Sequence, residues 1–262
     1  DLWKYLDRSR QQGEAVLAIV GHPHRSQGKM FNGADSEGHV VDAAHAQTRA
    51  VNERLLEIVQ GSGDSEADPE LSPEDKFAGF DRPLRPAKSA SHQPFRGGFA
   101  RYALSEGMRI EQSDVGANPY RYGFVGTSDF HNGLSDSAEA AKGRNSSGGL
   151  TGVWAETNTR EAIFAALQRR ETFATSGTRL RLRFFGGWDY DRSLLQQPQW
   201  VQAAYRDGVP MGRDLPPRLP SPRHRAPVPP YQRVLRLLLG LTPLLHAVPL
   251  FGYLLLRDAV GA

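Results

Sequence analysis

Two short segments bring together side chains that can share a cation or move a proton. His22-Pro23-His24 carries two imidazoles one residue apart. The intervening proline favours an extended backbone, so both rings can leave the chain on one side. Asp129-Phe130-His131 repeats the spacing with a carboxylate and an imidazole. Neutral imidazole and carboxylate together suit Mn, Zn or Fe as a divalent cofactor. Alternatively one member binds and the other orients it. Each pair also has a plain reading: solvated histidines on a turn, or an aspartate that caps a turn. A further carboxylate is offered by Gly63-Asp64-Ser65-Glu66 and, in competition, by Glu57, although Asp64 and Glu66 also read as an acidic solvated turn. His39, His45 and His92 lie in polar surroundings and are assigned no role. Thr172–Gly177 offers hydroxyls and backbone N–H groups to an oxyanion, with a polar turn as the favoured alternative. Arg169-Arg170 ends a helix, where cations complement the dipole.

These residues need elements that hold them at strand ends. Leu2, Trp3, Tyr5 and Leu6 predict a helix that Gly13 stops, and Ala15–Val20 is a continuous apolar run that fits a buried parallel strand. That run ends at Gly21, directly before the first histidine pair. Residues 43–54 read as helix, Leu55–Gln60 as a second short strand, and 61–98 as a long loop with little regular structure. A helix is expected over 99–107, ended by Gly107. Phe124–Asp129 reads as a strand running into the second candidate motif, and 132–150 as a flexible segment. Asn158 followed by Glu161 resembles a capping box, opening a helix with Ile163, Phe164 and Leu167 on one face. Thr178–Phe185 alternates Leu180, Leu182 and Phe184 with Arg179, Arg181 and Arg183, which predicts a half-buried strand with a cationic outer face. No internal repeat is visible.

Composition narrows the class. The 262 residues suffice for one large α/β domain or two small ones. A mean hydropathy of −0.50 excludes a polytopic membrane protein, and twelve Phe, eight Tyr and four Trp exclude a wholly disordered chain. With no cysteine, zinc–thiolate sites, Fe–S clusters, disulfide scaffolds and Cys nucleophiles are excluded. The net charge of +3 is uneven: residues 216–262 hold six Arg and one Asp, giving +5, so residues 1–215 carry −2. The body therefore gives no electrostatic case for nucleic-acid binding. Residues 216–230 hold seven prolines and three arginines and read as an extended linker. Leu237–Leu256 has no charge and is long enough to span a bilayer, though Gly240, Pro243, His246, Pro249 and Gly252 weaken a spanning helix, and a tail of non-native sequence or a hydrophobic terminal helix packed on a core are its competing readings.

Longer segments carry a resemblance. Asn118–Asn132, Gly148–Glu156, Asn158–Ile163, Arg170–Gly177 and Arg183–Trp188 resemble the bacterial family called domain of unknown function 3604. That family is similar to the polymerase-and-histidinol-phosphatase (PHP) metal-dependent phosphoesterases. The likeness covers roughly residues 1–217. It implies an α/β fold, a partial distorted β/α barrel with a metal cluster at the strand C-terminal ends, long irregular loops and a Pro-rich plus hydrophobic C-terminal tail. By the same resemblance, His22-Pro23-His24-Arg25 matches the middle PHP motif and Asp129-Phe130-His131 the last. Glu66 stands where the family carries a glutamate after a strand. The early PHP His-x-His motif has no counterpart here, and Gly21-His22 departs from the family's His-Asn pair. The chain, opening at Asp1, thus reads as an internal fragment whose N-terminal strands are missing.

The expected layout is a PHP-like domain over 1–195, the start of a following region over 196–215, a Pro/Arg linker over 216–230 and a hydrophobic tail over 231–262. The expected chemistry is hydrolysis of a small-molecule phosphate or related ester. His22, Asp129 and His131 would be metal ligands, His24 or Glu66 a ligand or general base, and Arg25 a partner for substrate charge. The alternatives are a non-catalytic remnant and a protein tethered to a membrane through 237–256.

Overall fold

Leu55 and Leu56 are neighbours in sequence, and both are fully buried. Consecutive burial means that a strand is covered on both faces, as in the middle of a parallel sheet. The computed structural model, which describes residues 2–61, 63–79, 94–129, 131, 149–176 and 179–218, places them in such a sheet. Helix α1 (Leu2–Gln11) is followed by β1 (Ala18–Val20), α2 (Ala43–Asn52) and β2 (Glu53–Gln60). Then come β3 (Gly63–Asp64), α3 (Ala100–Glu111) and β4 (Gly123–Gly126). Strand β2 is central: β1 and β4 pair with it in parallel, and β3 in antiparallel. β1 pairs with residues 53–56 and β3 with 59–60, so β3 continues the sheet beyond the end of β1. The fold class is α/β.

One core cluster lies between this sheet and α3. It contains Val20, Phe31, Leu56, Ala100, Ala103, Ile110, Tyr120 and Tyr122. Arg49 of α2 is buried beside it. Its guanidinium lies 4.9 Å from the Tyr120 ring centroid and donates to Glu53 at 2.8 Å. Burial of Tyr122 pushes its phenol well above the ordinary tyrosine range, and burial also raises that of Tyr120. Strands β5 (Leu150–Val153) and β6 (Thr172–Thr175) form an antiparallel pair around α4 (Arg160–Arg169). The Thr151 hydroxyl donates to the Gly126 carbonyl at 2.8 Å and accepts from the Gly126 N–H, which ties β5 to the end of β4.

The described residues divide into two compact units, with Gly186–Val209 and residues from 214 onward in the smaller. β7 (Phe185–Gly186), α5 (Trp200–Asp207) and β8 (Val209–Pro210) complete the chain order. Within the smaller unit, the Tyr190 hydroxyl donates to the Ala204 carbonyl at 2.6 Å, and the Trp188 indole donates to the Pro216 carbonyl at 2.7 Å.

Four local expectations change. Helix α3 runs through Gly107 to Glu111: the glycine is buried mid-helix, and a Cβ there would come within 2.2 Å of Asn118 Oδ1. Close approach, not chain termination, explains the glycine. Helix α4 is capped by the Thr159 hydroxyl, which accepts from the Ala162 N–H at 3.3 Å, so the cap lies one residue beyond Asn158. Thr172–Thr175 is strand β6 rather than a turn, since its backbone pairs with β5. Residues 179–184 form no strand, and Leu180, Leu182 and Phe184 are exposed. Arg183 packs instead, its guanidinium 3.6 Å from the Trp154 ring centroid. Among the described residues no helix is long and apolar enough to cross a membrane. The segment 237–256, nearly all of the 216–230 linker and most of 132–150 lie outside the described residues, as does His92.

Candidate functional site

Because β1, β2 and β4 are parallel, their C-terminal ends lie on one side of the sheet, where ligands collect in open α/β folds. The chain leaves β1 through Gly21 and His22. His22 has left-handed backbone (φ 52°) and precedes a 3-10 turn over Pro23–Arg25. It leaves β4 through Thr127, whose N–H donates to the Val59 carbonyl at 3.0 Å, and reaches Asp129 and His131 with φ of 57° and 56°. Five non-glycine residues have positive φ among those described, and three of them are His22, Asp129 and His131. Such backbone costs on the order of 1–3 kcal/mol per residue and gathers at functional sites.

The side chains meet. His22 Nε2 lies 3.3 Å from Asp129 Oδ2, across 107 residues of sequence. Asp129 Oδ1 lies 3.0 Å from His131 Nε2. Glu57, in β2, is the carboxylate that joins this group. Its Oε2 accepts the His22 N–H at 3.1 Å and lies 3.6 Å from His22 Nδ1, while its Oε1 accepts the Thr127 hydroxyl. Glu57 and Asp129 have largely covered side chains, His22 is partly open, and His131 is 83% exposed.

Two donors at about 2.0–2.2 Å from one cation, at angles between octahedral and tetrahedral, lie about 2.8–3.6 Å apart. The His22 Nε2–Asp129 and His131 Nε2–Asp129 separations fall in that interval, whereas Glu57 faces the other ring nitrogen of His22, Nδ1, and so braces the imidazole rather than sharing an ion with its Nε2. The donor set, imidazole with carboxylate, also suits a borderline divalent ion. These contacts are pairwise. Among the described residues no group of three or more His, Asp or Glu converges to hold an ion as the side chains stand.

The other expected residues lie around this group. His24 is buried, with Nδ1 2.8 Å from Ser65 Oγ and its ring 6.2 Å from that of His22. Gly63 of β3 lets the ring approach: a Cβ there would stand 3.1 Å from His24 Nε2. Arg25 is exposed. Glu66 turns to Arg101 on α3, with Oε1 2.6 Å from the guanidinium and a half-exposed side chain. Sequence reasoning favoured Glu66 over Glu57. The clue pointing the other way is an acid set inside an apolar strand, Leu55-Leu56-Glu57-Ile58-Val59, where burial demands a partner. The hydroxyl of Thr127 was missed, having no spacing signal of its own. His39 pairs with Asp35 on an exposed loop, and the His45 N–H donates to Asp42 at the start of α2.

No curated protein and no solved structure matches the chain. A family model described as a protein of unknown function, DUF3604, matches residues 1–143 and 135–228. Since those matches run through every strand of the sheet and both motifs at its end, the chain belongs to the DUF3604 family.

Proposed function

We propose that the cluster at the ends of β1, β2 and β4 is the divalent-cation site of a hydrolase of phosphate or related esters, on a partial PHP-like barrel. The supporting observation is the 3.3 Å approach of His22 to Asp129, members of two motifs that stand 107 residues apart in the sequence. Ligand roles fall to His22, Asp129 and His131. Glu57 braces the group by accepting the His22 N–H and keeps a second oxygen on Thr127. When bound, a Mn, Zn or Fe cation supplies Lewis-acid polarisation of the ester and a more acidic water. His24, buried and held at Nδ1 by Ser65, is assigned the role of further ligand or general base. Arg25, exposed beside it, meets anionic substrate charge.

The test is calorimetric titration of chelator-treated full chain with Mn, followed by hydrolysis assays on p-nitrophenyl phosphate and p-nitrophenyl sulfate. Saturable Mn binding, weakened about 100-fold or more in Asp129→Asn, with Mn-stimulated release of nitrophenol, is the expected result. No affinity for Mn, Zn or Fe overturns the reading. Binding without turnover on any ester favours the non-catalytic remnant.

A further inference from the structure

We propose that Thr127 is a positioning residue of the cation site, acting through Glu57 to aim the Nε2 of His22 at Asp129. The inference rests on the cation-site reading and extends it to a residue with no ligand role of its own. Glu57 reaches the group from inside β2 and divides its two oxygens. Its Oε2 accepts the His22 N–H at 3.1 Å and lies 3.6 Å from His22 Nδ1. Its Oε1 accepts the Thr127 hydroxyl. A glutamate side chain has several staggered rotamers, and bonds at opposite oxygens hold it in one. His22 in turn stands between two carboxylates, Glu57 at Nδ1 and Asp129 at Nε2, the latter 3.3 Å away. Turning the Glu57 carboxylate therefore turns the ring on which the approach to Asp129 depends.

Thr127 is itself fixed. Its N–H donates to the Val59 carbonyl of β2 at 3.0 Å, and its carbonyl accepts the Gly149 N–H at 2.6 Å. A β-branched side chain is stiff at χ1, so on a fixed backbone the hydroxyl has little freedom to leave Glu57. Two residues on, the same strand end delivers Asp129. One residue thus sets the root of one ligand and, through Glu57, the ring of another. Plain bracing of β4 against β2 is the competing account, since losing a hydrogen bond to a covered carboxylate lowers stability wherever it lies. Thr151 isolates that account. Its hydroxyl ties β5 to the Gly126 backbone at the same end of β4, donating to the carbonyl at 2.8 Å and accepting the N–H at 3.1 Å.

The experiment titrates chelator-treated full chain with Mn, Zn and Fe in turn by calorimetry and records melting curves of the same samples. Thr127→Val keeps the branched shape without the hydroxyl and is expected to weaken cation binding about tenfold or more, the usual effect of removing a group that orients a ligand. Thr127→Ala, a second removal of the same hydroxyl, should do likewise, and Thr127→Ser should restore the affinity of the unaltered chain. Thr151→Val should lower the melting temperature and leave cation affinity unchanged. In a Glu57→Gln background Thr127→Val should add little further loss, because both changes break one chain of contacts. Equal affinity in Thr127→Val and the unaltered chain, no rescue by serine, an equal loss in Thr151→Val, or additive losses with Glu57→Gln would each overturn the proposal while leaving the cation site standing. No affinity of the unaltered chain for Mn, Zn or Fe overturns the site itself, and the proposal with it.

Discussion

Glu57 and Glu66 present a direct comparison between two carboxylates. Glu57 is largely covered and accepts from both the His22 N–H and the Thr127 hydroxyl. Glu66 is half exposed and pairs with Arg101. Hydrogen bonds to a buried charge contribute about 1.5–3 kcal/mol, whereas exposed ion pairs contribute about 0–1 kcal/mol. Glu57→Gln should therefore lower unfolding stability by about 1–3 kcal/mol, and Glu66→Gln by less than about 1 kcal/mol, as measured by urea denaturation. If Glu57 also braces the cation site, only the first substitution weakens Mn binding.

At the scale of elements, Gly107 reverses the usual propensity argument. Alanine is the better helix former by about 1 kcal/mol. Yet a Cβ at this point meets Asn118 Oδ1 at 2.2 Å and Tyr120 Cβ at 3.1 Å. Gly107→Ala is expected to destabilise by about 1–3 kcal/mol, the usual cost of overpacking, and a calorimetric melting curve reads it. The same residue shows why some elements were legible and others were not. β1, β2 and β4 could be seen because their apolar runs are short, rich in Val, Ile or Leu, and bounded by Gly or polar clusters, which together favour strand over helix. Gly107 could not, because a glycine that ends a helix and one that admits a neighbour look alike until Asn118 is placed. Alternation at 179–184 misleads for a related reason: period two describes a chain's two sides, not whether either side is covered. The pairing of His22 with Asp129 was foreseeable from strand ends. Choosing Glu57 required knowing that β2 is the central strand.

For the whole molecule, the buried phenols set an alkaline limit. Burial raises Tyr122 and Tyr120 above the ordinary tyrosine value of about 10. A group raised on folding stabilises fully below its unfolded value and loses that contribution as pH climbs towards its folded value. Melting temperature should thus fall above about pH 10 from this source, and Tyr122→Phe should flatten that decline in melting curves recorded between pH 8 and 11. Durability also bears on the three left-handed residues. Each holds a backbone shape that glycine adopts without strain. His131→Gly should raise the melting temperature, because His131 is exposed and little packing is lost, while cation affinity falls. A variant library screened for heat resistance alone would accordingly drift to glycine at 131 and discard the imidazole on which the proposed cation site depends.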